Sequence, residues 1–347
     1  MFSVRCSACV VFLSLTVGNL SSAKELLSGP PAAPRARVVV VNDPQATEAF
    51  VPQPEIVRAM VDKAIVALTG QADVAAAWAS LVKPQDVVGL KVFSAPGAMV
   101  GTRPAVVAPV VQGLLAAHVP ADHIVIWDRR LEDLRNAGYA ELAARFGVRL
   151  AGSVESGFDD KVFYESPLLG NLLWGDLEFS ADSTSLGRKS HVTKLVSREL
   201  TKIISITPLL NSYDAGVAGN LYGLAHDSVD NTWRFDSNAD SLARAVPEIY
   251  ALPVLGDRVV LNVTDALICQ YEGGQHVRLH NATPLNEIRV SLDPVALDVL
   301  SVADLARQRT QAGFVTTSTN HIQLFQNAVL LELGVNDLKR IQVETVK

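Results

Sequence analysis

Short apolar runs alternate with amphipathic helical stretches along this chain, and that alternation limits the possible folds more than any other feature. Arg37–Val41 is a strand-length valine run. From Pro54 to Leu68, the residues Val57, Met60, Val61, Ala64, Ile65 and Leu68 recur at helical spacing, with Glu55, Arg58 and Asp62 on the opposite face. Asp86–Val92 is again of strand length. Pro104–His118 reads as a helix led by proline, which the first helical turn tolerates. His123–Asp128 is a third apolar run, and Leu131–Phe146 is helical in pattern. Strand, helix, strand, helix is the order of a parallel sheet linked by crossover helices. The expected fold class is therefore α/β: a mostly parallel sheet with helices on both faces.

The pattern lapses over Gly152–Ser190, which reads as an irregular inserted excursion, and then resumes. Strands are expected at Thr201–Thr207, Asp257–Thr264 and Glu287–Leu292. Helices are expected at Asp214–Leu224 (punctuated by glycine), Ser241–Tyr250, Pro294–Gln308 and His321–Leu333. Residues 37–347 thus read as a single α/β domain, preceded by a Gly/Pro-rich linker over 24–36. With 49% hydrophobic residues, the chain has ample material for a large core.

Residues 1–23 carry the marks of a secretory signal peptide: Arg5, the apolar run Cys6–Gly18, and small residues at Ser21 and Ala23. An apolar run of that length covers about 20 Å as a helix, short of the roughly 30 Å hydrocarbon core, so cleavage rather than anchoring is expected. The expected location is periplasmic or extracellular, with no membrane span after cleavage. Cys6 and Cys9 would leave with the signal. Only Cys269 would remain, in an apolar setting, which provides for neither an iron–sulfur cluster nor a cysteine–zinc site.

Lys and Arg number 30 against 36 Asp and Glu, a net charge of −6, and no basic run stands out. Nucleic acid is not an expected partner, since such binding draws on Lys and Arg neutralising phosphates. No G-x-G-x-x-G or Walker motif supports a nucleotide, and neither G-x-S-x-G nor H-E-x-x-H supports a common hydrolase.

The chemistry-bearing residues fall at the expected strand ends. In open α/β sheets the ligand crevice lies at the carboxyl ends of the strands. There Lys91 would neutralise an anionic group, and Asp128, Asn211 and Asn220 would contribute hydrogen bonds to a small polar molecule. Gly216, Gly219 and Gly223 share one face if their segment is helical, and the backbone at its start would suit an anion. His226 is the expected proton carrier, with Asp265 and Glu272 as catalytic carboxylates. Asp293, which reads as a helix N-cap, and Asp298 offer oxygen ligands of the kind Mg²⁺ or Ca²⁺ prefers. His276 and His280 read as one face of a surface strand.

Three blocks carry a family resemblance: Thr207-Pro-Leu-Leu-Asn-Ser-Tyr-Asp-Ala-Gly-Val-Ala-Gly-Asn-Leu-Tyr-Gly223, Thr264-Asp-Ala-Leu-Ile-Cys-Gln-Tyr-Glu-Gly-Gly274 and Ser291-Leu-Asp-Pro-Val-Ala-Leu-Asp298. With the Lys-bearing run near Lys91, the Pro-led helix near Pro104 and the strand ending at Asp128, the chain resembles the domain of unknown function 362 family over roughly Val87–Arg309. The resemblance implies an α/β domain and no settled reaction. Members often carry Lys and His where this chain has Leu209–Tyr213, a Lys where it has Gly219, and in some cases ferredoxin-type cysteines. Two function classes stay open on sequence: an exported enzyme acting on a small polar molecule, and a non-catalytic ligand- or partner-binding protein using the same cleft.

Overall fold

The valine and isoleucine runs become the strands of one central sheet. A computed structural model describes residues 35–166, 188–236, 238–314 and 319–346. The expected signal peptide, nearly all of the linker and residues 167–187 of the excursion lie outside the described residues. The sheet strands are β1 (Ala36–Asn42), β2 (Val88–Val92), β3 (Ile124–Asp128), β4 (Arg149–Gly152), β5 (Lys202–Ser212), β6 (Val259–Gln270), β7 (Ala282–Ser291) and β8 (Ile341–Val346). Their spatial order is β8-β1-β7-β6-β5-β2-β3-β4, and a short ninth strand, Gly216–Val217, pairs with β5.

All neighbouring pairs among the eight are parallel except the two that involve β7, which runs antiparallel to both β6 and β1. The reason is local. Residues 271–281 between β6 and β7 carry Gly273-Gly274 and no helix-length pattern, and a parallel return needs a crossover of about a dozen residues, usually helical. The chain therefore folds straight back. This loop closes with a 3₁₀ turn over Leu279–Asn281, so His276 and His280 do not sit on a strand, contrary to the alternation read from their spacing.

Helices cover both faces. On one side α1 (Pro54–Thr69), α2 (Val74–Leu81), α3 (Pro104–Ala116), α4 (Leu131–Asn136) and α5 (Tyr139–Phe146) bury Met60, Trp78, Val107, Leu134 and Tyr139 against Leu90, Ile126 and Ile204. On the other, α6 (Asn220–Asp227), α7 (Ala239–Tyr250) and α9 (Asn320–Leu330) bury Leu224, Ile249 and Phe325 with Trp127 and Ile203. Between α7 and α9 in sequence, α8 (Pro294–Gln311) adds Val295 to that face and lays Ala296 and Leu297 on β1.

The stretch Leu131–Phe146, read as largely helical, forms two helices separated at Gly138, whose φ of 87° lies between α4 and α5. The expected helix over Asp214–Leu224 is corrected more deeply. Gly216–Val217 is extended and paired with Ser212 and Asn211, and α6 begins only at Asn220. The i, i+3, i+7 glycine spacing therefore marks three different local needs and not one helical face. Gly216 sits at φ 81°, and a Cβ there would lie 2.8 Å from the His321 side chain.

β5 pairs with β2 only as far as Ile206, so Pro208, which lacks an N–H, falls where that side of the strand has no ladder to donate to. Beyond this point β5 leaves β2 and runs between β6 and the short Gly216–Val217 strand, which pairs with Ser212 and Asn211. Among the described residues, no single helix is long and apolar enough to cross a membrane.

Candidate functional site

The strand-end residues named from sequence are sorted by the fold into separate sets. The first is buried at the ends of β2 and β3. Lys91 has its side chain fully enclosed. Its Nζ donates to Asp128 Oδ1 and Asp227 Oδ2, each at 2.8 Å, and to the Val92 carbonyl. Asp128 Oδ2 accepts from both the Ser94 backbone and its hydroxyl. Asp227 Oδ1 meets His226 Nδ1 at 2.8 Å, and His226 Nε2 meets Asp236 Oδ2 at 2.9 Å. Lys91, Asp128 and His226 are thus brought together, with Asp227 and Asp236 as the links. At the far end of this chain of contacts His226 and Asp236 are partly exposed.

A histidine facing carboxylates from both ring nitrogens donates twice, and only the imidazolium can do that. Burial alone would depress its pKa. The hydrogen bonds to Asp227 and Asp236 outweigh burial and raise it to about 9. Burial likewise works to raise Asp227, but Lys91 and His226 hold that carboxyl well below its ordinary range. His226 is therefore a fixed cation near neutral pH, not a base waiting for a proton.

Stability should report this. With the folded pKa raised above the unfolded value of about 6.5, the imidazolium contribution is complete below that pH and lost as pH rises through about 9. Urea unfolding across pH 6 to 10 is expected to show a loss of the order of 3 kcal/mol that His226→Gln abolishes. An unchanged slope in the variant would contradict the assignment.

Asp265 belongs to a second set. It projects from β6 toward the opposite, α3-bearing face, where its carboxylate accepts from Arg103 Nη1 at 2.8 Å and from the Arg103 backbone N–H at 3.0 Å. Arg103 immediately precedes α3, and both side chains are almost wholly buried. Asp265 bonds to Arg103 and to the Leu267 backbone N–H, while His226, the residue it was expected to assist, is held by Asp227 and Asp236.

Asn220 and Asp298 form a third set. Asp298 Oδ1 accepts from Asn220 N at 2.8 Å and from Asn220 Nδ2, and its Oδ2 accepts from Leu221 N at 2.9 Å. The anion expected at this helix start is thus a carboxylate of the chain itself, supplied from α8. Gly219 is needed because a Cβ there would lie 2.4 Å from Asp298 Oδ1. Burial lifts the Asp298 carboxyl to about 6 despite these bonds. Asp293, the N-cap of α8, accepts from Ala296 N and Val335 N instead. The two carboxylates proposed to share a cation are each bonded to a different set of N–H groups, and among the described residues no group of three or more His, Cys, Asp or Glu is placed to hold a metal. Asp298→Ala would strand buried donors at the α6 start. An unfolding measurement is expected to show a loss of about 2–3 kcal/mol, with Asp298→Asn milder.

The fourth set surrounds open space. A cavity of about 420 Å³ lies where β5 emerges from the sheet, between Asn211, Ser212 and Tyr213 on one side and α8 and α9 on the other. Val302 and Leu305 of α8 and Ile322 and Phe325 of α9 supply apolar walls. At one end Arg309 is ion-paired with Glu272, whose other oxygen accepts from the Tyr213 hydroxyl at 2.6 Å. His321 also lines the space, and burial depresses its pKa, so it stands neutral. Asn211 Oδ1 accepts from Gly274 N. Of the residues named from sequence, Asn211, Gly216 and, through Arg309, Glu272 belong here. Arg309 and His321 were missed. Val302, Leu305, Ala306 and Arg309 do share one face of α8 at helical spacing, a stripe that sequence displays.

No family model matches the chain, and no curated protein matches it. A crystal structure of a Thermotoga maritima protein, solved by the Northeast Structural Genomics Consortium, is similar at a TM-score of 0.43 and 11% identity, over 76% of this chain. The match spans 60% of that protein's chain. At that score the likeness places no residue.

Proposed function

We propose that this chain is an exported binding protein whose ligand, a small molecule with an apolar body and hydrogen-bonding groups, occupies the cavity at the carboxyl end of β5. The observation that carries the reading is the cavity itself. Its volume, about 420 Å³, falls within the range of small-molecule sites, and its lining joins apolar walls to a few polar groups. Its place at a strand end is where open α/β sheets bind ligands.

Binding is favoured over turnover because the three residues named as catalytic have separate partners. His226 is held by Asp227 and Asp236, Asp265 by Arg103, and Glu272 by Arg309 and Tyr213. General acid–base catalysis needs such groups within reach of one reacting centre. The resemblance to the domain of unknown function 362 family and the signal-like first 23 residues supply the remaining parts of the reading: an α/β ligand domain acting outside the cytoplasm.

Thermal unfolding of the full chain against a library of small amphipathic metabolites tests it. A ligand present at 100 times its Kd adds about 2.7 kcal/mol to stability. The shift is expected to vanish in Ala303→Trp, which fills the cavity from α8. A hit whose shift survives that substitution would place the site elsewhere, and consumption of the hit would favour the enzyme reading.

A further inference from the structure

Resting on the cavity being the ligand site, we infer that it selects uncharged molecules and rejects anions of the same shape, because its one lining arginine is already neutralised from within. Arg309 lies at one end of the cavity, the position from which it would be expected to capture a carboxylate or phosphate. Glu272 occupies that role. It reaches from the loop after β6 to ion-pair with Nη1 of Arg309, and the Tyr213 hydroxyl fixes its second oxygen at 2.6 Å. Arg309 and Glu272 are both largely enclosed, with side-chain exposures of 18% and 17%, so solvent does little to loosen the pair.

Among the described residues the rest of the wall carries no further charge. Asn211, Ser212, Thr319, Gln326 and Asn336 are uncharged, and the other contributors are mainly apolar or the neutral His321. An anion entering this space gives up hydration and meets no unmatched cation, a transfer that is strongly unfavourable. An uncharged ligand pays far less desolvation, and its hydrogen-bonding groups can use the side-chain amides. Glu272 thus acts as a built-in counter-ion that sets ligand charge, a different role from the catalytic carboxylate expected from sequence.

Two probes with a common body read this directly: N-phenyl-1-naphthylamine, which is neutral, and 8-anilinonaphthalene-1-sulfonate, its sulfonated analogue. Fluorescence titration of the full chain is expected to show saturable binding of the neutral probe and at least tenfold weaker binding of the sulfonate. Glu272→Gln removes the internal carboxylate and is expected to bring the sulfonate to parity or beyond, and Ala303→Trp to abolish both. If the sulfonate binds the native chain as tightly as the neutral probe and Ala303→Trp still blocks both, charge selection is wrong while the cavity remains the site. If neither probe saturates, or Ala303→Trp leaves binding intact, the binding reading itself falls. The native-chain ratio decides the selectivity even should Glu272→Gln fold poorly.

Discussion

Lys91→Met is expected to cost about 3–5 kcal/mol of unfolding free energy, enough to leave a typical domain marginal. The ammonium bridges Asp128 and Asp227, and its removal leaves two carboxylates facing each other in the interior. Both acids cannot stay ionised there, so one must take up a proton or the site must admit water. The variant should therefore be relatively less impaired at acid pH, where protonation relieves the repulsion. Replacing the three groups together, Lys91→Met with Asp128→Asn and Asp227→Asn, should cost far less than the sum of the single losses, because members of one network do not act additively. Equilibrium urea unfolding at pH 5 and pH 8 measures both effects. A loss under 1 kcal/mol at both values would show that the network does not hold the β2 and β3 ends together.

Asp265→Ala should be comparably damaging, at about 3–5 kcal/mol, but through a positive charge left behind. The guanidinium of Arg103 would keep the Met99 carbonyl and lose its carboxylate at a site with almost no solvent contact, and the first turn of α3 would lose its tie to β6. Arg103→Met in the same background removes the stranded charge and is expected to restore at least half of the loss. A double variant no more stable than Asp265→Ala would mean that the carboxylate acts mainly on the backbone N–H groups of Arg103 and Leu267.

The Lys91 network and the Arg103–Asp265 pair mark where sequence pattern stops revealing structure. Periodicity identified β1, β2, β3, α1 and α7 because their burial is set by spacing along one segment. The apolar setting of Cys269 likewise matched its complete burial, which pushes its thiol up to about 12. Pairing between distant segments left no such trace. Arg103 and Asp265 are 162 positions apart, and Thr-Arg-Pro before a helix resembles an ordinary loop end. The carboxyl-edge rule placed Lys91 and Asp128 together correctly, yet it assumed that charged residues at an edge face a ligand. Here their side chains turn inward and satisfy one another.

The glycines of Asp214–Leu224 misled for a related reason: helical spacing is a property of position, and it cannot tell close packing against Asp298 from a shared face. β8 was the opposite case. Ile341-Gln-Val-Glu-Thr-Val346 alternates apolar and polar residues visibly, but a strand that joins β1 as a parallel neighbour across the whole chain length is signalled only by that short alternation.

The proposed ligand site is the cavity beyond β5 and not the Lys91–His226 network. A crystal structure of the full chain grown with N-phenyl-1-naphthylamine tests it most directly. The probe is expected between Asn211–Tyr213 and Ile322–Phe325, with the Glu272–Arg309 pair intact beside it. Probe bound against His226 and Asp236, with this cavity left vacant, would contradict it.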